Sequence, residues 1–418
     1  MAQKKKIPEI RFKEFTDSWS NQPLSYYLAV SEEKNSANQY DKYDIYSVSR
    51  EYGVINQIEY QGKSFAGASL LNYRVVNPNE VVYTKSPLRA QPYGIIKTNK
   101  SDSGIVSALY GVFKPNEEVD PIFVQTYFEL DSRLNEYLRP LVNKGAKNTL
   151  LISDEDSISG NVSFPKKEEQ EKMVKLFTAI DKLIRKLEEK LEKLKNIKQS
   201  LLNQMFTDVN RGGWIPRIRF AGFNEEWDMK FLGSISNKVN EKNSLNEYDV
   251  VFTNSAEYGI IDQRDFFDRY IANAESINGY YIVHPNYFVY NPRISTIAPV
   301  GPINRNKLSY SGVMSPLYYV FRITEDNVNL SFLEKFFKSR FWHAFMYENG
   351  NSGARSDRFS ISNEEFAKMP ISLPKNKKEQ KAIGEAIEAQ EELIKTTEQK
   401  LEKIRDIKQS LLKAMFVN

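Results

Sequence analysis

Two residue types in this sequence, arginine and asparagine, recur where they could read the edge of a nucleic-acid base. Arg can bond guanine and Asn can bond adenine through paired hydrogen bonds, whereas Lys usually secures phosphates. In the first half the candidates are Arg50 beside Ser49, Lys63 beside Gln61, then Lys85, Arg89, Lys97 and Lys147. In the second half they are Asn254 beside Thr253, then Tyr290, Asn291 and Arg293, then Asn304, Arg305 and Lys307, with Arg355 and Arg358. All are interleaved with aromatic residues on segments that read as loops. Arg293 follows Tyr290-Asn291-Pro292, where a turn would project it. Taken singly, each of these residues is equally well a solvated surface group.

Catalytic patterns are scarce. The chain contains no cysteine, which excludes disulfides, thiolate nucleophiles and cysteine-held zinc or iron–sulfur clusters. It has only two histidines, His284 and His343, too few for a histidine-rich metal centre, and both read as packing or single polar contacts. No GxxxxGK[ST] loop and no glycine-rich dinucleotide loop occurs. Asn77-Pro78 and Asn291-Pro292 lack the second proline and the aromatic residue with which amino-methyltransferases hold a flipped adenine. The acidic run SDEDS at 153–157 reads as a loop.

What must position the candidates is written twice. IPEIRFKEFTDSW at 7–19 returns as IPRIRFAGFNEEW at 215–227, so Trp19 corresponds to Trp227. REYGVI at 50–55 matches AEYGII at 256–261, and SGIVSALY at 103–110 matches SGVMSPLY at 311–318. A Gly-Ala-basic element occurs at Gly145-Ala146 and again at Gly353-Ala354. FPKKEEQ at 164–170 pairs with LPKNKKEQ at 373–380, and NIKQSLLNQMF at 196–206 pairs with DIKQSLLKAMF at 406–416. The period is far longer than that of solenoid repeats and describes two copies of a domain followed by a helix. The 418 residues, about three domains by length alone, therefore resolve into two similar halves.

Within each half the pattern changes once. Residues 20–160 are rich in Tyr, Phe, Val, Gly and Asn in short runs, which predicts short strands joined by turns. YDVVFTNS and SPLYYVFRI read the same way in the second half. After Pro165 the apolar residues fall at spacings of three and four, including Ile180, Ile184, Leu187, Leu191, Leu194 and Leu201. That stripe predicts one uninterrupted helix with a narrow apolar face, a coiled-coil candidate. The second copy carries Ile387, Ile394, Leu401, Ile404 and Leu411, with weaker positions at Glu391 and Thr397. An antiparallel pairing of the two helices is expected. Lys/Glu runs such as KLEEKLEKLK at 186–195 read as their solvated flanks.

The paired blocks resemble the specificity subunit of a type I restriction-modification system. The likeness rests on I-P-x-I-R-F followed by Trp, on YNPRI at 290–294 ahead of YSGVMSPLYYVFRI at 310–323, on the Gly-Ala-basic elements, and on helices that open with Pro…Glu-Gln and end K-Q-S-L-L-x-x-M-F. It implies an α+β fold in which two similar target-recognition domains, rich in short strands, are separated by an antiparallel pair of long coiled-coil helices with pseudo-twofold duplication. The expected boundaries are recognition domains at 1–163 and 213–372 and spacer helices at 164–212 and 373–418. The resemblance further implies that stretches 20–160 and 228–370 read the two halves of a split, asymmetric double-stranded DNA target. The helix faces would set the gap and meet partner subunits. Those partners would be two adenine methyltransferase subunits and, for cleavage, two ATP-dependent restriction subunits. S-adenosylmethionine, ATP and Mg would sit on the partners, with no cofactor, metal or catalysis on this chain.

Two other classes stay open on the sequence: a structural adaptor that binds only proteins, and a self-contained methyltransferase or nuclease. Lys+Arg 58 against Asp+Glu 54 gives a net charge of +4, so any DNA contact must come from local patches. No apolar run is long enough to span a membrane. The start MAQKKKIPEIRF has no apolar segment behind its basic run, so no secretory signal is expected. A reducing, cytoplasmic setting follows as an expectation.

Overall fold

The computed structural model describes residues 7–64, 67, 69–88, 90–144, 150–208, 212–266, 274–352 and 357–417. The chain forms two compact units. Unit 1 is Met1–Glu188 with Gln399–Asn418, and unit 2 is Glu189–Glu398. These units do not coincide with the sequence repeats, because each takes the start of one long helix and the end of the other.

The centre of unit 1 is a four-stranded antiparallel sheet in the order Leu28–Val30, Gly111–Pro115, Val81–Tyr83, Ile96–Thr98. Unit 2 repeats it as Ser236–Lys238, Tyr319–Ile323, Phe288–Tyr290, Ile303–Arg305. The buried strand VVY at 81–83 and its counterpart FVY at 288–290 are β-branched and aromatic, as a fully covered strand requires. Both strands follow a Pro-Asn turn in which Asn79 and Asn286 adopt φ 69°. Proline presets the first turn position, and asparagine tolerates the left-handed second one.

Further strand pairs recur in the same order. Tyr46–Ser49 forms a hairpin with Gly53–Asn56, and Phe252–Ser255 with Gly259–Asp262. Arg74–Val76 pairs with Gly104–Val106, and Tyr281–Val283 with Gly312–Met314. Ser20–Pro23 closes on Asn161–Phe164, and Asp228–Phe231 on Pro370–Leu373. The expectation of many short strands, with helices in the minority, holds. SDEDS is a correction: Ser153 caps a short helix, Asp154–Ser157, by accepting from the Asp156 N–H. A capping serine ahead of three acids is a helix start, and the sequence reading passed over it.

The long helices run Lys167–Gln204 and Lys377–Ala414, 38 residues each. Within unit 1, Asp181 faces Lys408 (2.6 Å) and Glu188 faces Arg405 (2.6 Å), so the two segments are antiparallel. Within unit 2, Lys195 faces Glu398 (2.8 Å) and Lys198 faces Glu391 (2.9 Å), again antiparallel. The weak positions of the second stripe have explanations. Glu391 is ion-paired to Lys335 (2.7 Å) and Lys198, and the buried Thr397 hydroxyl donates to the Leu393 carbonyl.

The repeated phrases turn out to be fasteners. Arg11 makes a bidentate pair with Glu169 at 2.8 Å, and Arg219 does the same with Glu379 at 2.6 and 2.9 Å. Gln170 accepts from the Asp120 N–H and donates to the Pro165 and Glu118 carbonyls; Gln380 makes the matching bonds to Asn329, Pro374 and Asn327. The Ile10 N–H donates to Ala414 at a helix end, and Ile218 to Gln204. In K-Q-S-L-L-x-x-M-F the deeply buried leucine is the second one. Leu412, Met415 and Phe416 enter the core of unit 1 around Trp19, Phe123 and Phe164. Leu202, Met205 and Phe206 enter that of unit 2 around Trp227 and Phe332. Leu201 and Leu411 pack at the margins.

Candidate nucleic-acid interface

In unit 2 the segment after strand Phe288–Tyr290 is held by three asparagines. Asn254 donates to the Val289 carbonyl (2.7 Å) and accepts from Asn304 (2.5 Å). Asn304 also donates to the Ser255 carbonyl (2.9 Å), and Asn291 to the Asn254 carbonyl (2.9 Å). Asn254 and Asn304 are buried, so these amides hold the hairpin Phe252–Asp262 on the sheet. The Asn291 carboxamide oxygen accepts from the Arg293 N–H (2.9 Å), which forms the turn after Pro292. Tyr290 is buried, and its hydroxyl donates to the Val300 carbonyl (2.9 Å).

That turn exposes Arg293 and places it beside Arg358, which is also exposed, through an antiparallel bridge. Bonds from the Phe359 N–H to Pro292 (2.7 Å) and from the Ile294 N–H to Asp357 (3.1 Å) fix the two stretches. Of the candidates in unit 2, these two arginines are the pair brought together on the surface. Arg305 and Lys307 are engaged inside the unit. Arg305 donates to Glu334 (2.9 Å) and Asn286 (3.1 Å), and Lys307 lies 3.0 Å from Glu334 and 3.6 Å from Glu388. Burial alone would raise the Glu334 carboxyl, but the cations of Lys335, Lys307 and Arg305 bring it below its ordinary value. Arg355 lies outside the described residues.

In unit 1, Arg50 sits on the turn of the hairpin Tyr46–Asn56, exposed and paired with Asp131 (2.6 Å). Lys63 is exposed just past the short helix Gln57–Gln61. Lys97 is buried on strand Ile96–Thr98, where desolvation lowers its pKa. Lys97 and Arg50 line a cavity of about 830 Å³ together with Gln61, Tyr60 and Lys408. Lys85 is tied to Asp154 (2.8 Å). Arg89 and Lys147 lie outside the described residues, as do both Gly-Ala elements.

Sequence reasoning chose Arg50 from the block REYGVI and passed over its tyrosine. Tyr52 is 58% exposed, with its ring 5.4 Å from that of Tyr60, and Tyr258 is 62% exposed in the matching block. A large aromatic held open at the same place in both repeats was the signal available. The stripe residues grade by depth. Leu194, Ile387 and Leu401 are buried, while Ile180, Ile184, Leu187, Leu191, Ile394 and Ile404 keep partial exposure. His343 is half-buried, and burial together with Arg340 pushes its pKa down to about 4. The His284 Nδ1 meets the Ser311 hydroxyl at 2.8 Å. Among the described residues, no helix is long and apolar enough to cross a membrane, and no three His, Cys, Asp or Glu side chains converge on a metal-sized site.

Residues 224–406 match the family model of the type I restriction modification DNA specificity domain. Among solved structures, the chain is similar to the type I restriction-modification system S subunit from M. genitalium. That match has 11% identity and a TM-score of 0.58, and covers 99% of both chains. A chain from a structure on complex assembly and conformational transition of the type I R-M system matches at 15% identity and TM-score 0.51, covering 95% of this chain and 97% of that one. The HsdS subunit from Thermoanaerobacter tengcongensis matches at 13% identity and TM-score 0.46, covering 96% and 97%. No curated protein matches by sequence.

Proposed function

We propose that this chain, whose residues 224–406 match the type I restriction modification DNA specificity domain, is the DNA-recognition subunit of a type I restriction-modification enzyme. In this reading it performs no chemistry itself. The observation that carries it is the matched specificity domain in a chain whose other unit repeats the same strand order, hairpins and helix fasteners.

Each unit reads one half of a two-part target. Arg293 and Arg358 approach a duplex in unit 2, and Arg50 and Lys63 do so in unit 1. The matching stretches differ, as in VVNPNEVVYTKS at 75–86 against IVHPNYFVYNPRI at 282–294, so the two half-sites differ and the target is asymmetric. The antiparallel helices set the unread gap. Their part-exposed apolar positions meet two modification subunits, and two restriction subunits join for cleavage. Methylation of an adenine needs the base out of the stack, so a methyltransferase subunit works while this chain holds the flanking bases. S-adenosylmethionine, ATP and Mg belong to those partners, in the cytoplasm.

The test is to replace residues 228–370 with the corresponding domain of another such subunit and to map methylated adenines in cellular DNA. One half-site changes and the other persists. A change in both halves, or no sequence preference in the assembled enzyme, refutes the reading; methyl transfer by this chain alone overturns the assignment of chemistry to partners.

A further inference from the structure

The two units share their strand order but differ at one place beside the central sheet. In unit 1 that place is closed by charge. Asp154, buried at the start of its short helix, is clamped between Arg74 (2.5 Å) and Lys85 (2.8 Å). The register of the strands identifies the counterparts in unit 2. Arg74 and Tyr281 each open the strand that pairs with Gly104–Val106 or Gly312–Met314. Lys85 and Pro292 each lie two residues past the buried tyrosine, Tyr83 or Tyr290, whose hydroxyl donates to a carbonyl ten positions on. Asp154 and Asn363 each begin a short helix capped by serine.

The ion trio of unit 1 is thus Tyr281, Pro292 and Asn363 in unit 2. The space is left as a cleft of about 550 Å³, within the range that takes small ligands. Its floor is aromatic. Tyr319 stands where unit 1 has Gly111, and Phe366 where it has Ser157, with the Phe366 ring 4.8 Å from those of both Tyr290 and Tyr319. Tyr281 and Tyr318 form the walls. The cleft holds two cations, Lys238 and Arg358, and no carboxylate among its described lining residues. The Lys238 ammonium lies 5.4 Å from the Tyr319 ring centre, and Arg358 adjoins the surface arginine Arg293. Stacked rings beside cations that meet no carboxylate among the described lining residues suit a ligand that is itself flat and anionic.

We propose that unit 2 carries a nucleotide site in this cleft, with a base stacked among the tyrosines and its phosphate against Lys238 and Arg358. The site deepens the reading of unit 2 as a DNA-contacting unit and rests on it. The nucleotide comes either from a strand whose base has left the stack or from a free mononucleotide. Unit 1 cannot hold one, because Arg74, Asp154 and Lys85 fill the place.

The test titrates the full chain with two probes: a single-stranded oligothymidylate carrying one central 2-aminopurine, read by fluorescence quenching, and adenosine 5′-monophosphate, read by calorimetry. Binding of the first alone identifies a strand nucleotide, and binding of the second identifies a free one. Tyr281→Ala and Lys238→Gln each weaken binding about tenfold, as loss of one stacking or phosphate contact does. The triple change Tyr281→Arg, Pro292→Lys, Asn363→Asp, which transplants the unit 1 trio, abolishes it. No binding of either probe overturns the proposal. Binding that all three variants retain, with melting unchanged, overturns it as well. If methylation mapping still shows split-target reading, that failure falls on the cleft alone.

Discussion

Lys198 and Lys408 occupy the same position of the repeated phrase I-K-Q-S-L-L, yet the structure assigns them unequal work. In unit 1, Lys408 is buried and is shared by Asp181 (2.6 Å) on the partner helix and Glu129 on the domain. Burial opposes its charge, but Glu129 and Asp181 outweigh it, and the pKa is raised. In unit 2, Lys198 is about a third exposed and pairs with Glu391, which keeps Lys335 at 2.7 Å in any case. Replacing each lysine with Met preserves most of the stem packing and removes only the charge. Breaking a fully buried pair costs about 3–5 kcal/mol, and an exposed one about 0.2–1 kcal/mol. Asp181 stays 43% exposed, and Lys97 also faces Glu129, so Lys408→Met should cost about 2–3 kcal/mol. Lys198→Met should cost less than about 1 kcal/mol. For a unit of roughly 200 residues this is a fall of about 4–12 °C in the melting of unit 1 and less than about 4 °C in unit 2. Calorimetry gives the size, and hydrogen exchange of residues 121–138 against 330–338 gives the place. Equal losses from the two substitutions would refute the claim that the same motif position carries different loads.

Arg219→Met should destabilise unit 2 by about 3–5 kcal/mol, because it leaves Glu379, 1% exposed, without its bidentate partner; a double-mutant cycle with Glu379→Gln in denaturant melts measures the coupling, and additivity would contradict the assigned pair. Gly301→Ala should cost more than about 2 kcal/mol, since φ is +84° and an added Cβ would lie 2.1 Å from the Asn291 carbonyl oxygen; chemical denaturation decides it, and a loss within 0.5 kcal/mol or so would show the strain to be absent. For pH, burial alone would raise the Glu391 carboxyl, but Lys335 and Lys198 bring it down to about 2. A carboxyl lowered in the folded state stabilises above its unfolded value of 4.5 and loses that stability as pH falls toward 2. Unit 2 should therefore weaken across that window, and Glu391→Gln should flatten the slope of stability against pH.

The duplication, the short-strand character of each half and the two long helices were legible because they are local patterns. Residue spacing, turn residues and the absence of proline from the helices settle them without any distant partner. The fate of the basic candidates was not legible. Arg305, Lys307 and Lys85 read like free surface cations, but Glu334 and Asp154, distant in sequence, face them. Asn254 and Asn304 read as possible base readers, yet their amides are consumed in holding a hairpin to the sheet.

By itself, the sequence determined that this protein is one α+β plan written twice, with a long amphipathic helix closing each copy. Tertiary structure alone decided which helix ends join which unit. The leucines of K-Q-S-L-L-x-x-M-F carry no label for the core they enter, and burial in an aromatic cluster assigns them. It also decided that one copy fills a site with an ion trio around the buried Asp154 while the other leaves it open. Asp154 must meet Arg74 and Lys85 from a distant part of the chain before their charges can neutralise one another, and only the packed fold brings them within bonding distance.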